Sequence, residues 1–413
     1  MTKVCVIGGA GHVGLPFSLI LSEVEDFEVV VIDVDETKIN NLKNGIMPYK
    51  ENRVNALKDY NVTYSNRFYH LNDADVIVVM IGTPVDEEGN GRIDNILDLF
   101  VNTIEPPIAM ETYGKPPLII LRSTVMPGTT DIIRNRLHQD HNLINDRDYH
   151  LVFAPERVSQ GNSMIETGTL PQLIGAYSEK SYKIAANFFT KFNTGKKIHL
   201  TPKEAEFGKL LTNMYRYVTF ALANEFYMIG TDLNLNTHKV IDAVNIDYDR
   251  MNLPLPGPNV GGPCLHKDGK FLIEDIPYGD LINVSYHINE GMPNYILKNI
   301  DFISLNRVAI FGMTFKAESD DIRNSLSFKM KKLLKSKGVS DIICYDPYWI
   351  DSDPFPNNFD NIDAIIIMTP HKVFKTLFES QNIIEKLPLD AIIIDPWKLL
   401  DESKGSKSGI YSK

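Results

Sequence analysis

Residues 3–14 read KVCVIGGAGHVG, and this stretch decides the fold of the first half of the chain. A short apolar run is followed by Gly9, Gly11 and Gly14 in the spacing G-x-G-x-x-G, and an apolar segment of helical character comes directly afterwards. Glycines at such a strand-to-helix turn let the backbone approach a pyrophosphate, which the N-terminus of the helix stabilises. The stretch therefore predicts a strand, a phosphate-binding turn and a helix.

Asp33 supports this interpretation. It ends the next apolar run, FEVVVID (27–33), about 20 residues beyond the glycines, where a carboxylate can bind the ribose hydroxyls of a dinucleotide. The same negative charge repels a 2′-phosphate, so the sequence predicts NAD rather than NADP as the cofactor. The alternative is a tight turn with a purely structural role.

The apolar runs that follow extend the pattern to a whole sheet. Short segments rich in Val and Ile alternate with stretches of helical length at 3–9, 27–33, 74–82, 116–124, 149–156, 172–177 and 196–201. Strands that are apolar on both faces indicate a parallel sheet covered by helices on either side. We predict a doubly wound, Rossmann-type α/β domain for NAD and assign residues 1–201 to it.

A change of periodicity at Pro202 marks a second region. Apolar residues recur at helical spacing over a length too great for a strand, and a glycine-rich segment around Cys264 follows later. Strand-like runs return at 307–312, 341–346, 363–369 and 390–395. We predict a central helical domain at 202–303, which contains one long helix and a cysteine loop, and a smaller Rossmann-like α/β domain at 304–413.

The composition argues against several classes of function. The 413 residues are 43% hydrophobic and 23% charged, and the formal net charge of −11 argues against nucleic acid or an anionic membrane as the main partner. The N-terminus lacks the pattern of a signal peptide, and no run reaches the roughly 18 apolar residues that a membrane span needs. Three cysteines imply no disulfide framework. We expect a cytoplasmic protein without a membrane segment.

Cys264 stands apart from the other two cysteines. It lies in GPNVGGPCLHKDG (257–269), among turn-forming residues, whereas the others lie in apolar, strand-like runs. A packed structural thiol does not fit these surroundings, and a metal site would need further ligands at a defined spacing, so we predict no metal. A nucleophile fits better, with Lys267 to favour the thiolate and Asp268 as a base. Such a thiol can hold an aldehyde as a thiohemiacetal, which is oxidised to a thioester and hydrolysed to an acid.

Polar residues also follow several predicted strands. Thr83, Ser123–Thr124 and Glu156 lie at strand ends, where open α/β sheets bind their ligands. Lys209 and Asn213 lie four residues apart on the predicted long helix, and an ammonium beside an amide suits the stabilisation of an oxyanion. The alternatives are helix caps or loop residues for the first group and a solvated stripe for the second.

Taken together, the motifs resemble the UDP-glucose/GDP-mannose dehydrogenase family, the nucleotide-sugar 6-dehydrogenases. The resemblance covers about residues 3–400 through VIGGAGHVGLP, VIDVDETKINNLKNG, GTPVDEEG, RSTVMPGTT, APERV, AEFGKLLTNMYR, GPNVGGPCLHKD, GMTFKAESDDIRNS and YDP. It implies the four-electron oxidation of the C6 hydroxyl of a UDP-sugar to a carboxylate with two NAD, and a part in polysaccharide biosynthesis. It also implies a C-terminal domain that binds the UDP-sugar, and a homodimer or higher homo-oligomer formed through the central helix.

The resemblance further implies the catalytic residues. They are of three kinds: a nucleophile, donors to the oxygen on C6, and groups that position water or take part in thioester hydrolysis. The nucleophile is Cys264, and the donors to the oxygen on C6 are Lys209 and Asn213. The groups that position water or take part in thioester hydrolysis are Asp268, Thr124 and Glu156.

The binding residues are implied in the same way. For NAD they include the glycine turn, two positions at the adenosine ribose, two threonines at the nicotinamide and one C-terminal arginine: Gly9, Gly11, His12, Val13, Gly14, Asp33, Lys38, Thr83, Thr124 and Arg323. For the UDP-sugar they are Glu156, Arg157, Lys209, Asn213, Arg250, Gly257, Asn259, Gly261, Phe315 and Lys316. Arg250 matches an arginine that can reach the substrate of a neighbouring subunit.

Local motifs leave the sugar open. APERV resembles the UDP-N-acetylhexosamine branch of the family and CLHKD the UDP-glucose branch, so the substrate belongs to one of these two classes, with the N-acetylated class preferred. Two other functions are alternatives. A two-electron, NAD-dependent hydroxyacid dehydrogenase needs neither Cys264 nor a second α/β domain, and it forms one NADH per substrate instead of two. A sugar-nucleotide sensor would bind both ligands without turnover.

Overall fold

The computed structural model describes residues 1–49, 51, 54, 56–84, 86, 92–110, 115–159, 161–273, 277–298, 300, 305–400 and the backbone of 410–412. Part of the motif GTPVDEEG, the predicted domain boundary at 303/304 and most of the C-terminal tail lie outside these residues. The chain divides into two units, residues 1–212 with 267–277 and residues 213–266 with 278–413. The three domain bounds of the sequence analysis stay a prediction.

The described part of the first unit contains an eight-stranded sheet. Its strands are β1 (Thr2–Ile7), β2 (Phe27–Ile32), β3 (Val62–Ser65), β4 (Val76–Val79), β5 (Leu118–Leu121), β6 (His150–Phe153), β7 (Gln172–Ala176) and β8 (Lys197–Leu200). They are ordered β3-β2-β1-β4-β5-β6-β7-β8, and all neighbours are parallel except β6 and β7. The sequence analysis missed β3, which is short and alternates polar with apolar residues.

Both faces of this sheet are buried. Along β1, Val4 and Val6 pack into one core, and Cys5 and Ile7 pack into another. The helices of this part of the chain are α1 (Gly14–Ser22), α2 (Glu36–Lys43), α3 (Asp94–Leu99), α4 (Glu105–Ala109), α5 (Thr129–His141), α6 (Ser163–Thr169) and α7 (Glu179–Thr190). Because the central strands β1, β4, β5 and β6 have an apolar core on either side, their sequences are almost continuously apolar, and the predicted doubly wound sheet is confirmed.

The long helix α8 (Pro202–Asp232) begins and ends with recognisable signals. The Glu204 carboxylate accepts hydrogen bonds from the Thr201 N–H and hydroxyl, both at 2.8 Å, and Thr201 Oγ1 accepts one from the Glu204 N–H at 3.3 Å. This reciprocal capping box satisfies free N–H groups at the helix start. Beyond the helix, Asn234 has a left-handed φ of 58°, which turns the chain away from the helix axis.

Three further helices follow: α9 (Thr237–Asn245), α10 (Gly262–Ile273) and α11 (Asp280–Ile296). The prediction of a loop or turn around Cys264 is wrong in this respect, because Cys264 lies in the first turn of α10. Gly262 has a φ of 57°, and Pro263, whose ring fixes a helical φ, comes next. The glycine and the proline therefore start a helix here instead of prolonging a loop.

The described part of the second unit contains a five-stranded sheet. Its strands are β9 (Arg307–Phe311), β10 (Asp341–Tyr345), β11 (Ala364–Ile367), β12 (Ile392–Ile394) and β13 (Ile410–Ser412), in the order β10-β9-β11-β12-β13. The first four in this order are parallel, and β13 pairs antiparallel with β12. Helices α12 (Leu326–Ser336), α13 (Lys372–Ser380) and α14 (Ile383–Lys386) complete the predicted smaller α/β domain. Among the described residues, no helix is both long and apolar enough to cross a membrane.

Candidate active site

The turn after β1 needs three glycines for steric reasons. Gly8 has a left-handed φ of 77°, and a Cβ on it would lie 2.7 Å from a backbone oxygen that follows β4. A Cβ on Gly9 would lie 2.9 Å from a backbone oxygen of β1, and one on Gly14 would lie 2.7 Å from the Gly9 Cα. Around Gly11 the nearest atom would be 3.4 Å away. The steric demand therefore falls on Gly8, Gly9 and Gly14, and the sequence analysis missed Gly8.

Asp33 lies directly beyond β2 and is tied to the same turn. Its Oδ2 accepts a hydrogen bond from the Ala10 N–H at 3.2 Å, and its Oδ1 accepts one from the Asp35 N–H at 3.1 Å. Each carboxylate oxygen keeps a lone pair that a ribose hydroxyl can use. The strand order reverses at β1, between β2 and β4, where open α/β sheets bind dinucleotides. The turn, Asp33 and the start of α1 at its N-cap Val13 fit NAD.

Two aromatic rings border the turn. His12 stacks on Tyr49 with ring centroids 4.3 Å apart, and the Tyr49 hydroxyl donates to the Gly11 carbonyl at 3.0 Å. Tyr49 is 6% exposed and comes from a distant loop, so no local pattern pointed to it. Lys38 lies in the first turn of α2, where its Nζ is 3.2 Å from Asp35 Oδ2 at the surface.

A lysine joins the ends of two neighbouring strands. Thr83 follows β4, and its hydroxyl donates to the Thr124 carbonyl, which follows β5, at 2.6 Å. Lys267 Nζ donates to the Thr83 carbonyl at 2.7 Å and to the Thr83 hydroxyl at 2.9 Å. The sequence analysis expected the Lys267 ammonium to favour the Cys264 thiolate. In the structure this ammonium is bound to Thr83. It fixes the two threonines that the resemblance places at the nicotinamide.

Three ionisable groups of the first unit form the centre of its polar site. Lys209 on α8 and Asp268 on α10 are buried, with 7% and 1% exposure, and Glu156 follows β6 and is partly buried. Burial raises the pKa of Glu156, and the positive charges of Lys209 and Arg122 oppose this rise. The Glu156 carboxylate also accepts a hydrogen bond from the Val158 N–H. A buried lysine together with two carboxyl groups can exchange protons and stabilise an anion.

Asn213 lies one turn beyond Lys209 on α8. Its side chain is 5% exposed, so the alternative of a solvated stripe for this pair is wrong. The two side chains share the face of α8 opposite its exposed apolar residues. A buried ammonium and a buried amide on one helix face can both donate to one oxygen atom.

Glu206 fixes the part of α8 that carries Lys209. Its carboxylate accepts hydrogen bonds from the Gly128 N–H at 2.5 Å, from the Thr130 N–H at 2.8 Å and from the Thr130 hydroxyl at 2.5 Å. The Glu206 carboxylate therefore caps the N-terminus of α5 from a distant part of the chain. The sequence analysis missed this residue, because the partners are 76 or more positions apart in the chain.

Cys264 is exposed, whereas Cys5 and Cys344 are buried. It occupies the first turn of α10, where the positive end of the helix dipole favours a negative charge. Asp268 lies one turn further along the same helix. Among the residues that the structure describes, no group of three or more His, Cys, Asp and Glu side chains is placed to hold a metal ion.

The glycines before Cys264 are packed against aromatic rings of the second unit. A Cβ on Gly257 would overlap the Trp397 ring, one on Gly261 would lie 2.9 Å from the Tyr217 ring, and one on Gly262 would lie 2.5 Å from the Phe315 ring. Backbone approach of this kind is possible only without a side chain. Trp397 and Tyr217 carried no signal in the sequence.

Asn259 ties the same loop to the second sheet. Its Nδ2 donates to the Ser327 hydroxyl at 3.0 Å, the Met368 carbonyl at 3.1 Å and the Thr369 hydroxyl at 3.2 Å, and its Oδ1 accepts from the Leu326 N–H at 2.6 Å. The side chain is 7% exposed and its hydrogen-bonding capacity is used within the protein. The role of Asn259 in substrate binding stays a prediction.

The remaining predicted residues are arginines and the Phe315–Lys316 pair. Arg323 forms two hydrogen bonds with the Asp321 carboxylate, at 2.9 and 2.6 Å, which raise its pKa, and the charge of Cys264 adds to this effect. Thr314 Oγ1 donates to the Lys316 carbonyl at 3.1 Å and holds the loop that carries the pair.

Arg157 and Arg250 occupy different environments. Arg157 lies beside Glu156 in the first unit, donates to the Pro171 carbonyl and has a pKa that burial lowers. Arg250 is exposed in the second unit, with its guanidinium 4.8 Å above the Tyr248 ring. An exposed arginine of this kind is available to a ligand or to another molecule.

The sheet, its glycine turn and Asp33 define the first unit as the NAD-binding part of a dehydrogenase. Comparison with known proteins extends this to the whole chain. The UDP-glucose/GDP-mannose dehydrogenase family's NAD binding domain matches residues 2–193, its central domain residues 203–286 and its UDP binding domain residues 309–402. The chain belongs to the UDP-glucose/GDP-mannose dehydrogenase family and is an NAD-dependent nucleotide-sugar dehydrogenase.

Individual relatives agree with this membership. The UDP-N-acetyl-D-mannosamine dehydrogenase of Methanocaldococcus jannaschii is 32% identical over 98% of this chain and 95% of its own. The solved UDP-D-ManNAc dehydrogenase of Pyrococcus horikoshii superposes with a TM-score of 0.86 at 27% identity, covering 97% of this chain and 96% of its own. The UDP-N-acetyl-mannosamine dehydrogenase Cap5O of Staphylococcus aureus gives a TM-score of 0.80 at 27% identity, covering 99% and 98%.

Proposed function

We propose that this enzyme oxidises the C6 hydroxyl of UDP-N-acetyl-D-mannosamine to a carboxylate, in two successive oxidations through a covalent bond to Cys264. The observation that carries the proposal is an exposed cysteine in the first turn of α10, one turn before the buried carboxyl of Asp268. The names of the relatives support the choice of sugar, and the PERV motif of the sequence agrees with an N-acetylated substrate.

The polar residues have distinct tasks in this reaction. When bound, NAD accepts one hydride from C6 in each of the two oxidations. Lys209 and Asn213 donate hydrogen bonds to the oxygen on C6, and they stabilise the negative charge that it gains when the hydroxyl loses its proton. Asp268 and Thr124 position the water that takes up this proton.

The covalent stage begins from the aldehyde. The Cys264 thiolate adds to C6, a C–S bond forms, and the carbonyl oxygen takes up a proton to give a thiohemiacetal. Removal of the second hydride and of the hydroxyl proton leaves a thioester. Glu156 then accepts a proton from water, whose oxygen attacks the thioester carbon, and the C–S bond breaks to release the carboxylate and the thiolate.

The ligand-binding residues are assigned separately for the cofactor and for the sugar nucleotide. For NAD we assign the glycine turn, Asp33 and Lys38 to the pyrophosphate and the adenosine ribose, Thr83 and Thr124 to the nicotinamide, and Arg323 to a further contact. For the UDP-sugar we assign the backbone of residues 257–262, the Phe315–Lys316 pair and Arg157. A net charge of −11 requires that such cationic donors be concentrated locally, because the diphosphate is an anion.

We further propose that the chain forms a homodimer or a larger homo-oligomer through α8. One face of this helix carries exposed large apolar side chains at Phe207, Leu211, Tyr215, Leu222, Phe226 and Ile229. At 100° per residue they fall within one third of the helix circumference, and a continuous apolar surface of this kind is typical of an interface. Arg250, which is exposed, is assigned to the substrate of the neighbouring subunit.

A substrate panel tests the proposed function. Purified enzyme with NAD is given UDP-N-acetylmannosamine, UDP-N-acetylglucosamine, UDP-N-acetylgalactosamine and UDP-glucose in turn, and NADH and uronic acid are measured. We expect the first sugar to give the highest kcat/KM and two NADH for each acid formed. One NADH per substrate would favour a two-electron dehydrogenase, and tight binding without NADH would favour a sensor.

A further inference from the structure

Arg122 is a buried cation that the reaction scheme above does not use. The residue follows β5 and is 5% exposed, and its Nε has no hydrogen-bond partner among the described residues. Burial lowers the pKa of its guanidinium to about 10. A buried charge costs free energy unless it is paired, and within the described part of the chain no carboxylate forms an ion pair with it. We therefore expect other interactions to compensate the cost of burying the Arg122 charge.

The guanidinium is bound to the chain segment that leads to Glu156. Arg122 Nη1 donates to the Ala154 carbonyl at 2.9 Å, to the Pro155 carbonyl at 3.5 Å and to Gln172 Oε1 at 3.0 Å. Gln172 in turn donates from Nε2 to the Pro155 carbonyl at 3.1 Å. Two buried side chains thus hold the two carbonyl groups that directly precede Glu156.

Aromatic rings keep the guanidinium in this position. Its central carbon lies 4.6 Å from the centroid of the Phe17 ring and 5.6 Å from that of Phe189. Rings at this distance attract a cation and exclude water from around it. The charge is therefore weakly screened, and it acts at longer range than a charge at the surface would.

The negative charge that Arg122 faces is that of Glu156, which also raises the pKa of the guanidinium. On Glu156 itself, burial is the largest influence and raises the pKa of the carboxyl. The charged groups around it come from four other elements: Lys209 and Arg122 lower this pKa, and Glu166 and Asp268 raise it. Arg157, its neighbour in the chain, is a further cation beside the carboxylate.

We propose that Arg122 and Gln172 are positioning residues for Glu156. They fix the backbone from which this side chain extends, and together with Lys209 the guanidinium favours the ionised form of its carboxylate, which is the form that accepts a proton from water. The step that Glu156 performs rests on the proposed function, whereas its ionisation does not.

The ionisation is measured first, without substrate. Protein labelled with carbon-13 at the glutamate carboxyl groups is titrated by NMR, and the Glu156→Gln variant identifies the Glu156 resonance. We expect Arg122→Met to move this titration to higher pH, and Arg122→Lys, which keeps the charge, to leave it close to wild type. An unchanged titration in Arg122→Met would overturn the proposal, and this result does not depend on which reaction the enzyme catalyses.

Kinetics then test the effect on turnover. Because only the ionised carboxylate accepts a proton, Arg122→Met should move the acid side of the pH profile of kcat to higher pH, with kcat about tenfold lower there. At alkaline pH the loss should be smaller but should remain, because the variant also lacks the donor to the Ala154 and Pro155 carbonyls. Gln172→Leu should lower kcat at all pH values without moving the acid side of the pH profile. It removes the hydrogen bonds of Gln172 to the Pro155 carbonyl and to Arg122, but it keeps the Arg122 charge. If Arg122→Met does not fold, Arg122→Lys and Gln172→Leu decide: wild-type kcat in both would overturn the positioning role.

Discussion

Cys264 is the residue on which the proposed chemistry depends most directly. The turn-forming residues around it predicted exposure, and the thiol is exposed. They also suggested a loop, whereas Gly262 and Pro263 start a helix and give the thiol a favourable dipole. Local composition therefore revealed the accessibility of the thiol but not the element that carries it.

The variant Cys264→Ser tests the covalent step. We expect acid formation to fall at least about a thousandfold, because a serine hydroxyl is not ionised at neutral pH and cannot replace the thiolate as a nucleophile. Binding of NAD and of the UDP-sugar, measured by calorimetry, should stay within a few-fold of wild type. Cys344→Ala is the matched control, since this thiol is buried in the second unit and should not affect turnover. Full acid production by Cys264→Ser would remove the covalent intermediate from the mechanism.

At the scale of single elements, hydrophobic periodicity was a good guide wherever the core is continuous. Seven of the strand-like runs of the first unit became strands, and the central ones, such as β4, β5 and β6, are buried on both faces. The long helix was equally clear from its spacing, whereas the Thr201–Glu204 capping box at its start was not used to predict it. Contacts that join distant elements, such as Glu206 to α5 or Arg122 to the end of β6, have no local signature and could not be predicted.

The cap that Glu206 provides for α5 gives a prediction about stability. Glu206→Ala leaves the Gly128 and Thr130 N–H groups without their acceptor, and we expect it to lower the free energy of unfolding by about 2 kcal/mol. It should also lower kcat, because Lys209 lies in the next turn of the same helix. Glu379→Ala, at an exposed position of α13, is the control and should change stability by less than about 0.5 kcal/mol. Equal stability of the two variants, measured by urea unfolding, would contradict the role of the cap.

For the whole molecule, the sequence indicated two α/β sheets joined by helical sequence, and both sheets are present. It did not indicate that α8 and α10 each contribute residues to both units. Lys209 and Asn213 lie one turn apart on α8, and Cys264 and Asp268 lie one turn apart on α10. Periodicity identifies a helix, but it does not tell which neighbours the two ends of the helix pack against.

The exposed apolar face of α8 gives a prediction about assembly. Leu222→Glu combined with Ile229→Glu places two charges on this face, and we expect the enzyme to become monomeric in sedimentation velocity because burying both charges is costly. Arg216→Glu, at an exposed position of α8 outside this face, should leave the oligomer intact. A wild-type chain that sediments as an active monomer would contradict the proposed interface.

The contact between Gly257 and Trp397 has a practical consequence. The chain contains two tryptophans, and the other one, Trp349, packs edge to face on Phe328 with ring centroids 5.6 Å apart. Trp397 lies against the backbone of the glycine-rich loop and donates from its indole nitrogen to the Met368 carbonyl at 3.0 Å. A Trp349→Phe variant would thus emit from a single indole placed on this loop. The fluorescence of Trp397 can therefore report changes in the glycine-rich loop during a ligand titration, without an attached dye.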